Sequence, residues 1–240
     1  MDIAGKAVLL TGGSAGIGRE LARQMKAKGA QVAVTGRNRD RLAEMRDEGF
    51  EAIEADLSNA HGVDALVADL GDRNIDILVN NAGQGVDHDF RQAQPDADAT
   101  DACIYANLDA PIRLITALLP RMEDRPEAAL VNVTSGLAIA PRAGSPVYCA
   151  TKAGLRSYTM ALRAQLAGSN VHVIEALPPV VETQMTADRN MKKMPASECA
   201  RHILATIEGN RPQANVGMVK LLNLVHSISP ALARRIMMGF

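Results

Sequence analysis

Tryptophan is absent from this chain, and other aromatic side chains are scarce: three Phe and three Tyr in 240 residues. A core built without large rings must be aliphatic, so any substrate pocket is expected to be lined by Leu, Ile, Val, Ala and Met. Cysteine is equally rare. Cys103, Cys149 and Cys199 are widely spaced and odd in number, which argues against a disulfide framework. Neither sign of charge is in excess: the formal net charge is −1, and nothing in that balance points to nucleic acid. His61, His88, His172, His202 and His226 form no ligand-spaced cluster, so no metal is expected. No apolar run reads as long enough to cross a bilayer, and no charged-then-apolar leader opens the chain. The expected location is cytoplasmic.

What is present is alternation. Strand-like runs near residues 6–11, 31–35, 50–54, 75–80, 128–133, 171–176 and 213–216 are separated by helical patterns such as 16–28 and 59–70. Parallel neighbours need crossovers, so this order predicts an α/β fold, a doubly wound parallel sheet of about seven strands with helices on both faces. No linker or repeat divides residues 1–240, and one domain is expected. Residues 211–240 depart from the pattern, with Arg211, Lys220, Arg234 and Arg235 but no Asp or Glu. Leu221, Leu222, Leu224 and Val225 there can form an apolar helix face. This basic apolar tail is expected to pack on the body or on a partner subunit, with contact at a membrane surface as the alternative.

Gly12, Ser14, Gly16, Ile17 and Gly18 lie between the first strand and the first helix. Glycines there let the backbone turn sharply and approach a pyrophosphate, while unpaired helix N–H groups face its charge. A dinucleotide site that prefers NAD places an acid near the end of the second strand. Here the run is Thr35-Gly36-Arg37-Asn38-Arg39, with no acid before Asp40. A guanidinium at Arg37 suits a 2′-phosphate that a carboxylate would repel, and the Ser14 hydroxyl can add to it, so NADP(H) is expected rather than NAD(H). Arg37, Arg39 and Arg41 also fit a solvated helix start, although cations there oppose the helix dipole.

Tyr148 and Lys152 are four apart in a helical stretch that follows Ser145-Pro146, a fitting cap and first helical position. A phenol near pKa 10 is a poor acid or base at neutrality, and a neighbouring ammonium moves it toward working pH. Ser135, at the end of the fifth strand, brings a hydroxyl to the edge where open α/β sheets bind ligands.

Taken with Asn80-Asn81-Ala82-Gly83, these residues resemble the short-chain dehydrogenase/reductase family over at least residues 6–187. The stretches 134–140, 146–152 and 176–183 resemble a bacterial subgroup named after an oxidoreductase of the D-alanine lipoteichoic-acid operon. The resemblance implies a Rossmann-type sheet ordered 3-2-1-4-5-6-7. It implies Tyr148 as proton donor or acceptor, Ser135 holding the substrate oxygen, and Lys152 lowering the tyrosine pKa and binding the nicotinamide ribose. Asn107 matches a helical Asn that supports a proton path to Lys152, and also fits a purely structural duty. Asn81, Ala82 and Gly83 would border the cofactor and Asp56 and Leu57 its adenine, Asp56 fitting an N-cap equally. Pro178, Val181 and Thr183 would meet the nicotinamide end, but Pro179 replaces the family's usual Gly with a residue of fixed φ and no N–H.

The function so implied is hydride transfer between NADP(H) and a small, largely apolar carbonyl or alcohol, in a homodimer or homotetramer. An NADP(H)-binding sensor without turnover is the rival, opposed by the retention of Ser135, Tyr148 and Lys152. A sugar-nucleotide epimerase is the other, for which the region after Thr183 leaves little room. Specificity is expected in segments 84–94, 137–145 and 184–195, the last reading as a flap with Met185, Met191 and Met194. Arg142, Lys192 and Lys193 are the cations there able to attract an anionic group.

Overall fold

The computed structural model describes residues 1–239; Phe240, the end of the basic tail, lies outside the described residues. Seven strands, β1 (Ala7–Leu10), β2 (Gln31–Gly36), β3 (Glu51–Glu54), β4 (Ile77–Asn80), β5 (Ala128–Val133), β6 (Val171–Leu177) and β7 (Gln213–Asn215), form one sheet. Its order is β3-β2-β1-β4-β5-β6-β7, as expected, and every neighbouring pair is parallel. The crossovers are α1 (Gly16–Ala27), α2 (Arg39–Asp47), α3 (Ala60–Leu70), α4 (Ala97–Ile104), α5 (Ala110–Glu123), α6 (Pro146–Gln165) and α7 (Ala196–Glu208). Two more helices, α8 (Val219–Ile228) and α9 (Pro230–Met238), follow the last strand.

Period-two alternation sorts the strand side chains into two layers. Val8, Leu10, Val32, Val34, Ile77 and Val79 face Leu21 and Met25 of α1, Met45 of α2 and Ile203 of α7. Leu9, Leu78, Leu130 and Val173 face the other way, against Leu66 of α3, Leu114 and Leu118 of α5 and Leu162 of α6. The fourth strand starts later than its apolar pattern suggests, because Asp76 turns its carboxylate to the Ala7 N–H at 2.8 Å and to Arg125 at 2.7 Å.

Helices α4 and α5 are continuous through a wide π turn at Tyr105–Asp109, giving one rod from Ala97 to Glu123. This corrects the expectation that no segment has the length and apolarity of a membrane span, for the rod meets both measures. The physical reason for its apolarity is internal: Leu114, Ile115, Leu118 and Met122 are buried against the sheet. In the tail, Val219 and Leu222 of α8 pack with Ile139 and Leu177, and α9 lies against α8. Met218, Leu221, Leu224, Ile228, Leu232 and Ile236 stay exposed.

Candidate active site

Because all seven strands run the same way, their carboxyl ends share one edge, and a cleft of about 620 Å³ lies along it. Gly12, Ser14, Gly16 and Ile17 line one end, with Arg37, Asp56 and Leu57 from the turns after β2 and β3. Asn81, Ala82 and Gly83 form the middle, and Ser135, Tyr148, Lys152, Pro178, Val181 and Thr183 the other end. Gly18 and Asn107 are the two expected residues that stand behind the wall and do not line it.

The glycine loop has the shape of a cradle. Gly12 (φ +65°) and Gly16 (φ +53°) take left-handed backbone that favours glycine, and a Cβ on Gly16 would lie 2.9 Å from the Thr183 methyl. Gly18 leaves room for the Asn81 amide, which donates to the carbonyls of Thr11 (3.0 Å) and Gly12 (3.2 Å). The N-cap of α1 is Ala15, which offers no side chain, and the first turn holds no acid. Helices α2, α3 and α4 are capped instead by Asn38, Asn59 and Asp96. An uncapped N-terminus beside glycines that admit close approach fits a pyrophosphate.

At the adenine end Arg37 lies 3.6 Å from Asp56, both side chains about half exposed. Asp56 does not cap α3, contrary to one expectation for it; Asn59 does so, and Asp56 accepts from the backbone and hydroxyl of Ser58. Arg39 pairs with Glu54 at 2.9 Å, whereas Arg37 and Arg41 both line the cleft, Arg41 reaching the neutral Gln184 at 3.1 Å.

At the opposite end Ser135 follows β5 and accepts from the Leu137 N–H, while Tyr148 and Lys152 project from one face of α6. Lys152 is 4% exposed; its Nζ donates to the Val133 carbonyl at 2.9 Å and lies 5.7 Å from the Tyr148 ring centre. Burial pushes the Tyr148 phenol up to about 12, against the pull of the Ser135 hydroxyl and the Arg189 guanidinium. Burial likewise pulls the Lys152 ammonium down to about 8.

Around these residues Thr11, Asn132 and Thr159 carry no motif, while Asn107, Asn80 and Ser145 were expected. Asn107, in the π turn, accepts from the Gln84 N–H and donates to the Gln84 carbonyl, both at 2.9 Å, and also donates to Thr151 at 3.2 Å. Thr11 accepts the N–H groups of Asn81 and Ala82, each at 3.0 Å, joining the glycine loop to the middle of the cleft. Asn80, Asn132 and Thr159 form a buried relay across β4, β5 and α6. Ser145 occupies the cap position of α6, as expected, but its hydroxyl makes no cap bond and turns to Asp87. The expected flap is closed at its base, where Val181 pairs with Met194. Among the described residues no group of three or more His, Cys, Asp or Glu is placed to hold a metal ion.

A family model described as short chain dehydrogenase matches residues 6–194. The uncharacterised oxidoreductase DltE of Bacillus subtilis (strain 168) is 40% identical over 195 residues, covering 76% of this chain and 74% of that protein. A Burkholderia cenocepacia J2315 short chain dehydrogenase solved with NADP superposes with a TM-score of 0.86 at 24% identity, over 99% of both chains. One from Sphingobium yanoikuyae, solved with NADPH, gives 0.81 at 28% identity, over 95% of this chain and 94% of that one.

Proposed function

The chain belongs to the short-chain dehydrogenase family, and from that footing we propose that it is an NADP(H)-dependent oxidoreductase acting on a small carbonyl or alcohol. The observation that carries this reading is convergence: Ser135, Tyr148 and Lys152 meet at one end of a cleft whose other end is the glycine loop.

When bound, the cofactor supplies or accepts the hydride at its nicotinamide. The residues of the chain do the rest. Tyr148 gives its phenolic proton to the substrate oxygen in reduction and takes it back in oxidation. Ser135 donates a hydrogen bond to the same oxygen and orients it. Lys152 holds a positive charge 5.7 Å from the ring centre, which favours the phenolate over the phenol. Lys152 also holds the nicotinamide ribose. Asn107 acts by pinning Gln84 at the wall and by supporting the proton path to Lys152.

For the cofactor, Gly12, Gly16, Ile17 and Gly18 admit the pyrophosphate, and Arg37 with Ser14 meets the 2′-phosphate that defines NADP(H). Asp56 and Leu57 border the adenine, and Asn81, Ala82 and Gly83 the middle of the molecule. Val181 with Pro178 meets the carboxamide and Thr183 a phosphate. A cytoplasmic location and a homodimer or homotetramer, joined through the rod and α6, belong to the same proposal.

The test is NADPH oxidation, with NADH in parallel, over a panel of ketones and aldehydes. Turnover with NADPH is expected to vanish in Tyr148→Phe while NADPH binding persists. Arg37→Leu is expected to move the NADPH-to-NADH preference by about 10–100-fold, the size of one lost charge-assisted contact. Tight NADPH binding without turnover on any substrate would favour the sensor reading instead.

A further inference from the structure

Three segments meet at one ionic corner around Ser145, three residues before Tyr148: Asp87 from beyond β4, Arg142 from between β5 and α6, and Arg189 from between β6 and α7. Arg142 donates to one Asp87 oxygen at 2.6 Å, and the Ser145 hydroxyl donates to the other. Both oxygens of that carboxylate are thereby engaged. Arg189 approaches it only to 3.9 Å, and among the described residues its guanidinium donates no hydrogen bond. Glu182 and Asp188, the acids of the same segment, form no ion pair among the described residues. Two guanidiniums therefore share one carboxylate.

Two further observations place this charge against the chemistry. The first turn of α6, which carries Tyr148, reaches the corner without a side-chain cap, adding the positive end of its dipole. The Arg189 charge also acts on Tyr148 itself, favouring its phenolate. A hollow of about 540 Å³ borders Arg189 and Lys193 together with Glu182, Asp188 and Met191, so the flap leaves space beside Arg189.

A guanidinium one quarter exposed, near a proton donor and lacking a close partner, is suited to a planar anion gripped through two parallel hydrogen bonds. We propose that Arg189 binds the carboxylate of the substrate, which is therefore an oxo acid in reduction and a hydroxy acid in oxidation. The carbonyl oxygen lies at Ser135 and Tyr148, the carboxylate on Arg189, and a short apolar body between them. In reduction the hydride of NADPH forms the new C–H bond, the C=O π pair moves to oxygen, and that oxygen takes the Tyr148 proton; NADP⁺ leaves and the carboxylate is unchanged. Asp87, fixed by Arg142 and Ser145, aims Arg189 without saturating it.

This rests on the oxidoreductase reading above, and the test separates the two. Pyruvate, acetoacetate and levulinate, each paired with its methyl ester, span three distances between carbonyl and carboxylate. With NADPH, at least one acid is expected to exceed its ester in kcat/KM by about tenfold or more, a charge-assisted contact's worth of discrimination. In Arg189→Met that ratio is expected to collapse to about one, with Arg189→Lys in between, since an ammonium keeps the charge but not the fork. In parallel, calorimetric titration of the three oxo acids into the enzyme–NADP⁺ complex is expected to show binding that Arg189→Met loses. Binding of this kind without any turnover would uphold the anion site and sink the oxidoreductase reading. Turnover in which esters match acids in the wild type, or in which the ratio survives Arg189→Met, would overturn the Arg189 proposal alone. Neither acid preference nor oxo-acid binding in the wild type would overturn it as well.

Discussion

Lys152 sits where folding and chemistry disagree. Its ammonium titrates near 8 in the folded chain against 10.5 when solvated, because burial penalises the charge. The unfolded chain holds this proton more tightly, so the Lys152 contribution opposes folding in full below about pH 8 and fades as pH rises toward 10.5. Lys152→Met is accordingly expected to stabilise the protein by about 1–3 kcal/mol at pH 7 while destroying turnover. Urea unfolding checks this, and a loss of stability would show that the bond to the Val133 carbonyl outweighs the buried charge. Tyr148 has the opposite sign: its raised phenol is neutral in the fold, and its contribution is lost only as pH climbs from about 10 toward 12. The helix face shared by Tyr148 and Lys152 was legible from a four-residue spacing, while their roles were legible only through Ser135 and the family resemblance. Asp87 was not. Its partner Arg142 lies 55 positions away, and no local pattern announces a contact of that kind. Ser145 was half legible: its place at the helix start follows from Pro146, whereas the turn of its hydroxyl toward Asp87 depends on tertiary structure.

Between elements, a buried carboxylate ties the catalytic pieces together. Glu175 on β6 is fully buried and accepts from Arg156 of α6 and from Thr134, each at 2.7 Å, and from Gln213 of β7 at 3.0 Å. Thr134 immediately precedes Ser135, and Arg156 stands one turn beyond Lys152 on the same face. One carboxylate thus fixes the end of β5 relative to α6. Glu175→Gln is expected to lower stability by about 1–3 kcal/mol, since Arg156 loses its counter-charge but keeps access to water. An unchanged denaturant midpoint would mean that the pair contributes nothing net. At this scale most boundaries were readable from alternating apolar runs, with ends off by one or two residues, whereas the strand order came from the family resemblance. Those ends are set by individual side chains such as Asp76, which replaces a backbone acceptor at the start of β4.

For the whole molecule, parallel strands alone put the cleft at one edge, and this is why residues as far apart in sequence as Gly12 and Thr183 line one cavity. What the body leaves uncovered is also patterned: Ile104 on α4 and Met160 on α6 are exposed, as is the apolar row of α8 and α9. Burial of such surface in a homo-oligomer predicts a sedimentation mass of two or four chains, and a concentration-independent monomer would contradict that part of the proposal. The π turn at Tyr105–Asp109 bears on the molecule as a whole through phase. A turn wound with one residue too many rotates everything downstream by about 100° relative to a regular helix. The first half of the rod can therefore address α6 while the second half addresses α3 and the sheet. Removing any one residue from that turn would bring the two halves back into phase, and Leu114, Leu118 and Met122 would face away from the layer they now complete. The rod tolerates exchange of letters here far better than a change in their number.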